Sequence, residues 1–411
     1  MNFKRVKKIY FGRYLEVFLN LLNKLNLNVI DKFLFKRNVF VVFLREDRIG
    51  HQAGNTEVEF YKAFQRKKNI KAKTIFIFPY PEFLVSNLYL RKNLVNFSKI
   101  NFHKTIVINY LFFNKFFSKF IIQSIFKIFE SCNNIYFASS DRGQRFNYPI
   151  IKTSKNHKNL CKEMGIDSKK YICITSRDNK YLNERYKNEN WNYHNYRNSN
   201  IDNLKELSHY LSKEMGMAVV RIGSNPEKKI DWDSPSDAKI IDYSFSEFQS
   251  PKNDIDLISG CNLFINNGGG IVTAALAAKR EIITINHIPI RLSTGDTWGL
   301  WIPKLIKRIN DNELLSFRQI EELNLATALK EIDYINAGVE TIENNGEDIL
   351  NAFKDYFRIR NGLINAKEQK VINKYISMRN KTKHLFNKDI LNNDKDVIAP
   401  SFLMKYPKLL D

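Results

Sequence analysis

The sequence predicts an α/β protein with two consecutive doubly wound, Rossmann-like domains and a helical C-terminal segment. Three observations carry that reading. Near-continuous apolar strands alternate with helical segments, as in parallel sheets covered on both faces. The chain has 411 residues, 44% of them hydrophobic, which is enough for two full cores. The stretch Leu263-Phe-Ile-Asn-Asn-Gly-Gly-Gly-Ile271, followed by Val-Thr-Ala-Ala-Leu-Ala-Ala and the apolar run Ile282 to Ile285, has the order strand, glycine turn, helix, strand.

The elements follow in order. Residues 1 to 40 hold nine basic residues against Glu16 and Asp31, a local net charge of +7, with Val17, Phe18, Leu19, Leu21, Leu22, Leu25 and Leu27 among them. This is the pattern of a basic amphipathic helix, either packed on the domain or lying on an anionic membrane surface. Val39 to Leu44 is the first strand, Lys73 to Phe78 the second, Thr105 to Asn109 the third and Ile135 to Ala138 the fourth, with helices at Thr56 to Arg66 and Leu111 to Glu130. In the latter helix Phe112, Phe113, Phe116, Phe117 and Phe120 fill most of the wheel, so burial with Lys115, Lys119 and Lys127 snorkelling is favoured.

Residues 150 to 168, rich in Lys, Asn and Ser, are expected to link the domains. The second series comprises strands Tyr171 to Thr175, Ala218 to Ile222, Lys239 to Ile241, Leu263 to Ile265 and Ile282 to Ile285, with helices Asn203 to Glu214, Pro251 to Ser259 and Ile271 to Ala278. Residues 318 to 411 are charged and mostly helical in pattern. The expected divisions are 1–37, 38–165, 166–330 and 331–411.

Composition narrows the function. Cys132, Cys161, Cys173 and Cys261 show no C-x-x-C spacing and suit a reducing, cytoplasmic compartment. The first residues lack a secretory signal, and no run reaches the ~18 to 20 apolar residues that span a bilayer. A net charge of +22 favours anionic partners without choosing among them. Its tyrosines and phenylalanines concentrate in apolar runs and form no exposed basic-aromatic stripe, which argues against nucleic acid. There is no H-E-x-x-H, paired Cys/His cluster, G-x-S-x-G or Walker lysine. Asp231-Trp-Asp233 and Asp254-Ile-Asp256 match D-x-D, but one lies among lysines and the other splits its carboxylates between two helix faces, so no metal is expected.

In a doubly wound domain, ligands belong at the carboxyl ends of the strands, here in a cleft between the domains. Four such turns are polar: Ser176-Arg177-Asp178, Arg221-Ile-Gly223-Ser224, Asp242-Tyr243-Ser244 and Asn266-Asn267-Gly268. Three glycines let backbone amides approach a phosphate, and the helix that follows points its positive end there. Arg177 and Arg221 are placed to neutralise a diphosphate that also takes the Gly268, Gly269 and Gly270 amides; Arg177 could equally pair with Asp178. After the first strand, the turn from Arg45 to Glu57 carries two glycines, several charges and His51, which Asp47 or Glu57 could orient as a general base. Asn55 or Thr56 could instead simply cap the next helix.

These residues resemble a family of bacterial glycosyltransferases marked by an R-I-G-H…N-T-E element, a central Y-H-x-Y-R-N-S element and a glycine turn in the second domain. Here they read Arg48-Ile-Gly-His51 with Asn55-Thr-Glu57, Trp191-Asn-Tyr-His-Asn-Tyr-Arg-Asn-Ser199, and Asn266 to Gly270. The ending Ile398 to Leu410 is also similar, and the match spans about residues 38 to 411. Two positions depart: Asn195 stands where the family more often has aspartate, and Asn266 and Asn267 where it has Ser or Thr. Ser176-Arg177-Asp178 is distantly similar to the arginine turn of fucosyltransferase-like enzymes.

The resemblance implies the GT-B architecture and a nucleotide-sugar donor held mainly by the second domain. It implies sugar transfer to a glycan or lipid-linked acceptor in cell-surface polysaccharide synthesis, such as lipopolysaccharide, at the inner membrane face. Ser176, Arg177, Arg221, Gly223, Asn267 and Gly268 to Gly270 would hold the donor. His51 or Glu57 would serve the acceptor hydroxyl, and Arg48, Asn55, His194, Tyr196 and Arg197 would lie on the acceptor side or between the domains. The rival enzyme of the same architecture is a sugar-nucleotide epimerase, and the rival of another class is a basic nucleic-acid binder.

Overall fold

A computed structural model of the chain describes residues 27–108, 132–140, 143–187, 190–232, 238–290, 299–381 and 396–411. Most of the basic segment 1–37 and the helix expected at Leu111 to Glu130 lie outside the described residues. The chain divides into two compact units, Met1–Phe146 and Asn147–Asp411.

In the first unit, α1 (Leu27–Lys36) leads into β1 (Val39–Phe43), which is followed by a π-helical turn, His51–Asn55, running directly into α2 (Thr56–Ile70). Then come β2 (Lys73–Phe78), α3 (Leu88–Asn101), β3 (Lys104–Val107) and β4 (Ile135–Phe137). All pairings are parallel, in the order β3-β2-β1-β4. The apolar strands pack Phe60, Phe76, Phe97 and Phe102 into one ring cluster with centroids 4.8 to 6.3 Å apart. Asn87 caps α3 by accepting from the Leu90 amide.

In the second unit a seven-stranded parallel sheet runs β13-β10-β9-β8-β5-β6-β7. Its strands are β5 (Tyr171–Ile174), β6 (Ala218–Arg221), β7 (Ile240–Ile241), β8 (Leu263–Asn266), β9 (Glu281–His287), β10 (Gly299–Pro303) and β13 (Asp396–Ile398). β5, β6 and β8 are buried along their whole length, as the runs of Ile, Val and Phe require of central strands. Each such side chain contributes about 1.5 to 3 kcal/mol of burial. An antiparallel hairpin pairs β11 (Leu305–Arg308) with β12 (Val339–Ile342).

Two expected divisions are corrected. The boundary falls after Phe146, because residues 150–168 pack on the second unit instead of linking the two. Ile150 donates to the Ala277 carbonyl, and α4 (His157–Glu163) is held by His157 against the Tyr171 hydroxyl at 2.9 Å. Residues 331–411 are likewise no separate extension: they supply β12 and β13, and Tyr375, Ile398, Phe402 and Leu409 join the core of the large sheet. With three residues, β13 is too short to leave a periodic signature.

The helix Pro251–Gly260 accounts for one D-x-D match. Ser250 caps it and Pro251 opens it. Asp254 accepts from the Tyr243 hydroxyl at 2.8 Å, while Asp256 accepts from the amide and hydroxyl of Ser154 at 2.8 and 2.6 Å. Both are structural. Burial raises the Asp254 carboxyl to about 6 against the opposing Tyr243 bond. A raised carboxyl stabilises the fold below the ordinary pKa, and that contribution is lost as pH rises through about 6. Asp254→Asn keeps an acceptor for Tyr243, so the unfolding free energy should lose about 2 kcal/mol of its decline between pH 4 and 7. Denaturant titrations at both pH values check this, and an unchanged decline refutes it.

Candidate active site

In the large sheet the chain leaves β5 toward β6 and β7, then returns to β8 on the other flank and continues to β9 and β10. The reversal lies between β5 and β8. Because the strands are parallel, the turns that end them share one edge and diverge there, which is where an open α/β sheet forms a crevice.

Asn267 joins the two turns. Its Oδ1 accepts from the Arg177 amide at 3.0 Å, and its Nδ2 donates to the Arg197 carbonyl at 3.2 Å and Ser199 Oγ at 2.8 Å. Asn266 shapes the glycine turn by accepting from the Gly268 amide at 2.8 Å. Gly268 has φ +76°, a left-handed conformation that favours glycine. A Cβ on Gly269 would meet nothing within 4 Å, and Gly270 is exposed. The Gly268 amide is therefore taken up within the turn itself.

The central element is a 3₁₀ turn, Asn192–Arg197, lying on this edge. Its backbone and side chains bind the β5 turn: Arg177 Nη1 donates to the His194 carbonyl at 3.2 Å and to Asn198 Oδ1. Ser176 Oγ donates to the Ser199 carbonyl at 2.6 Å. Arg197 donates to the Gly268 carbonyl, and Tyr196 stacks on Tyr334 with centroids 4.9 Å apart. His194 lies 3.9 Å from the Tyr193 ring centre to centre. His194, Tyr196 and Arg197, expected on the acceptor side or between the domains, thus belong with the Arg177 cluster.

Lys304, directly after β10, completes that cluster. It is 4% exposed, donates to the Asn198 carbonyl at 2.7 Å and lies 3.8 Å from Glu343. Burial lowers its ammonium pKa, the Glu343 carboxylate opposes that, and Arg177 adds to it. Burial and the Arg197 charge push Arg177 down to about 10. Arg177 Nη2 and Arg197 Nε are buried without a hydrogen-bond partner among the described residues. Asp178 is not the counter-ion by hydrogen bonding: its oxygens accept from the Lys180 and Glu227 amides at 3.0 and 2.9 Å. Nearby, burial brings His287 down to about 4, and Arg197 reinforces the shift.

Arg221 and Gly223 fall outside this group. Arg221 is 2% exposed and its Nη1 donates to both Asp242 oxygens at 3.2 Å and to the Lys228 carbonyl at 2.9 Å. It ties the β6 and β7 ends together, and its charge is met there by the Asp242 carboxylate. Beside it a Cβ on Gly223 would come 3.4 Å from Ser244 Oγ, which bonds the Arg221 carbonyl.

In the first unit the analogous reversal lies at β1, with β2 on one flank and β4 on the other. His51 opens the π-helical turn after β1 and its Nδ1 lies 3.1 Å from Asp47 Oδ1. Asp47 is also 3.4 Å from Arg45. Burial opposes ionisation of Asp47, but the hydrogen bond and charge of His51, with Arg45 and Arg48, hold the carboxyl well below the usual range. The imidazole is oriented and partly exposed, at 24%. Glu57 turns inward: it is fully buried and ion-paired to Arg145 at 2.6 Å. Asn55 is a fastener, donating to the Ala138 carbonyl at the end of β4 at 3.0 Å. Arg48 contributes its carbonyl to the Gln52 amide and its charge to the field at Asp47. Behind them Glu46 is raised to about 7 by burial, which Arg91, 3.1 Å away, only partly offsets.

No protein-family model and no curated protein sequence matches this chain. Among solved structures it is similar to ADP-heptose lipopolysaccharide heptosyltransferase II of E. coli, at 14% identity and a TM-score of 0.32, covering 63% of this chain and 92% of that one. It is also similar to a family 9 glycosyl transferase from Veillonella parvula, at 10% identity and 0.37, covering 64% and 85%. A third is the UDP-GlcNAc 2-epimerase of Methanocaldococcus jannaschii, at 15% and 0.24, covering 67% and 70%. Likenesses this distant transfer no residue role and no activity.

Proposed function

We propose that the protein is a glycosyltransferase that moves a sugar from a nucleotide-sugar donor to a glycan or lipid-linked acceptor in cell-surface polysaccharide synthesis. The observation that carries this reading is the set of three cations, part-buried Arg177 and Arg197 and buried Lys304, at the β5/β8 reversal, with Glu343 as the near carboxylate and Arg177 Nη2 lacking a partner among the described residues. Holding such charges together is unfavourable until an anion arrives. A nucleoside diphosphate supplies the matching charge and pairs of oxygens for guanidinium donors, with the half-buried Gly269 and exposed Gly270 backbone beside it.

In the proposed reaction an acceptor hydroxyl attacks the anomeric carbon, forming the new glycosidic bond as the bond to the diphosphate oxygen breaks. Charge develops on the leaving diphosphate, where the three cations stabilise it more than in the ground state. The proton of the hydroxyl passes to His51, and the Asp47 carboxylate stabilises the imidazolium that forms. The cations fill the role a divalent metal plays elsewhere, so we expect turnover to survive chelation.

Thermal stabilisation by a panel of nucleotide sugars, followed by donor turnover, tests the reading. Lack of stabilisation by every nucleoside diphosphate would sink it. Arg177→Ala should lose about 2 to 4 kcal/mol of transition-state stabilisation in kcat/KM with the fold intact. Arg221→Ala should do the reverse, costing about 3 kcal/mol of stability, because it removes the counter-charge of the largely buried Asp242 carboxylate and leaves it only the Ile230 amide among the bonds described. Near-normal turnover by folded Arg177→Ala would remove Arg177 from the donor site.

His51→Gln should keep donor affinity yet lower kcat ~10²-fold or more, and Asp47→Asn should lower kcat in the same sense. Titration calorimetry with nucleoside diphosphate reports the affinity. A collapse of affinity would move His51 into the nucleotide site, and no change in either quantity would make it structural.

A further inference from the structure

The 3₁₀ turn Asn192–Arg197 carries a group of side chains that the diphosphate clamp does not use. Tyr193 is 39% exposed, although its neighbours hold the ring in place. It meets the His194 ring, 3.9 Å away centre to centre, and the Trp191 ring, 5.9 Å away at an angle of 30°. Trp191 is itself buried and leans on the Tyr186 ring at 5.5 Å. A ring fixed in this way has little rotamer freedom left to lose on binding, so it is a preorganised surface for an apolar face.

Polar groups stand beside it. Asn195, two residues on in the same turn, accepts a hydrogen bond from Asn179 Nδ2, while Asn179 Oδ1 is buried with no hydrogen-bond partner among the described residues. Leaving such an oxygen unbonded is unfavourable, and a hydroxyl would satisfy it. The whole group is tied to Arg177. Asn179 follows it by two residues, and Arg177 Nη1 donates to the carbonyl of His194, which lies between Tyr193 and Asn195. The Tyr193 phenol is close enough to act on the Arg177 charge.

An aromatic face next to hydroxyl-bonding amides matches a pyranose, which has an apolar C–H face and a rim of hydroxyls. A nucleobase fits the position less well: the ribose sets it apart from the diphosphate, whereas the donor's sugar is bonded to the diphosphate directly. We infer that Tyr193, Asn179 and Asn195 form the subsite for the transferred pyranose, with the sugar lying on the Tyr193 ring and one of its hydroxyls donating to Asn179 Oδ1. The inference rests on the reading of the Arg177 cluster as the diphosphate clamp.

Titration calorimetry with UDP, ADP and GDP, and with UDP-glucose, ADP-glucose and GDP-mannose, tests it. Tyr193→Ser should bind the sugar conjugate about tenfold more weakly and leave the parent nucleotide unaffected, while Tyr193→Phe, which keeps the ring, should match the wild type. Asn179→Ala should weaken the conjugate alone, by roughly fivefold. Retained nucleotide affinity shows in each case that the site is still folded. Equal losses for nucleotide and conjugate in Tyr193→Ser would assign the ring to the nucleoside and overturn the inference. So would unchanged conjugate binding by both Tyr193→Ser and Asn179→Ala, or a wild type that binds a nucleotide but none of the conjugates. A wild type that binds no nucleotide at all would overturn the clamp reading and this inference with it, a result distinct from the others because in those the nucleotide still binds.

Discussion

The carboxamide of Asn267 is the interaction on which the candidate donor site depends. Parallel pairing brings the ends of β5 and β8 to one edge, but side by side they would be only two loops. Asn267 accepts from the Arg177 amide with one atom and donates to the Arg197 carbonyl and Ser199 hydroxyl with the other. Three segments far apart in the chain thereby become one piece, and the guanidinium groups of Arg177 and Arg197 come to rest on the same edge. A buried amide can hold such a junction only when both its ends are bonded, since an unsatisfied end costs about 1 to 3 kcal/mol. Serine or threonine, with one hydroxyl, could not bridge in this way.

Buried charge separates architecture from function in both units. Arg221 with Asp242, and Glu57 with Arg145, are paired and neutral overall; each ties two parts of its unit together. Removing one partner of such a pair leaves an uncompensated charge, which is why these residues behave as fasteners. Arg177, Arg197 and Lys304 form a different kind of group. Their pKa shifts for Arg177 and Lys304 run downward, the direction expected when burial and like charge act together with too little opposing charge. A site held in this state is preorganised for an anion, because the protein has already met the cost of bringing the cations together.

The first unit applies a milder version of the same logic. Asp47 precedes His51 by four residues, just ahead of the π-helical turn, and the carboxylate and Nδ1 meet while the ring keeps an exposed side. That wider turn continues without a break into α2, whose first turn carries Glu57 inward to Arg145. One backbone device thus sends His51 toward solvent and Glu57 into the core. The two residues were equivalent candidates in one dimension and have opposite fates in three.

Local pattern determined a great deal. Apolar runs bounded by polar turns located β1, β2, β4, β5, β6 and β8, because a central parallel strand must be apolar on both faces and that requirement is written residue by residue. The same alternation predicted two Rossmann-like units, and the glycine turn and Arg177 could be picked out because backbone approach and positive charge have few substitutes. Pairing was not written there. Whether Arg221 met a ligand or Asp242, whether Asp47 or Glu57 held His51, and whether Lys304 after Pro303 joined Arg177 all depended on strand order and on the direction each turn leaves the sheet. So did β13, three residues recruited to an edge by β10. Periodicity reports which face of an element is apolar; it is silent on which polar groups, distant in sequence, the folded chain brings within reach of one another.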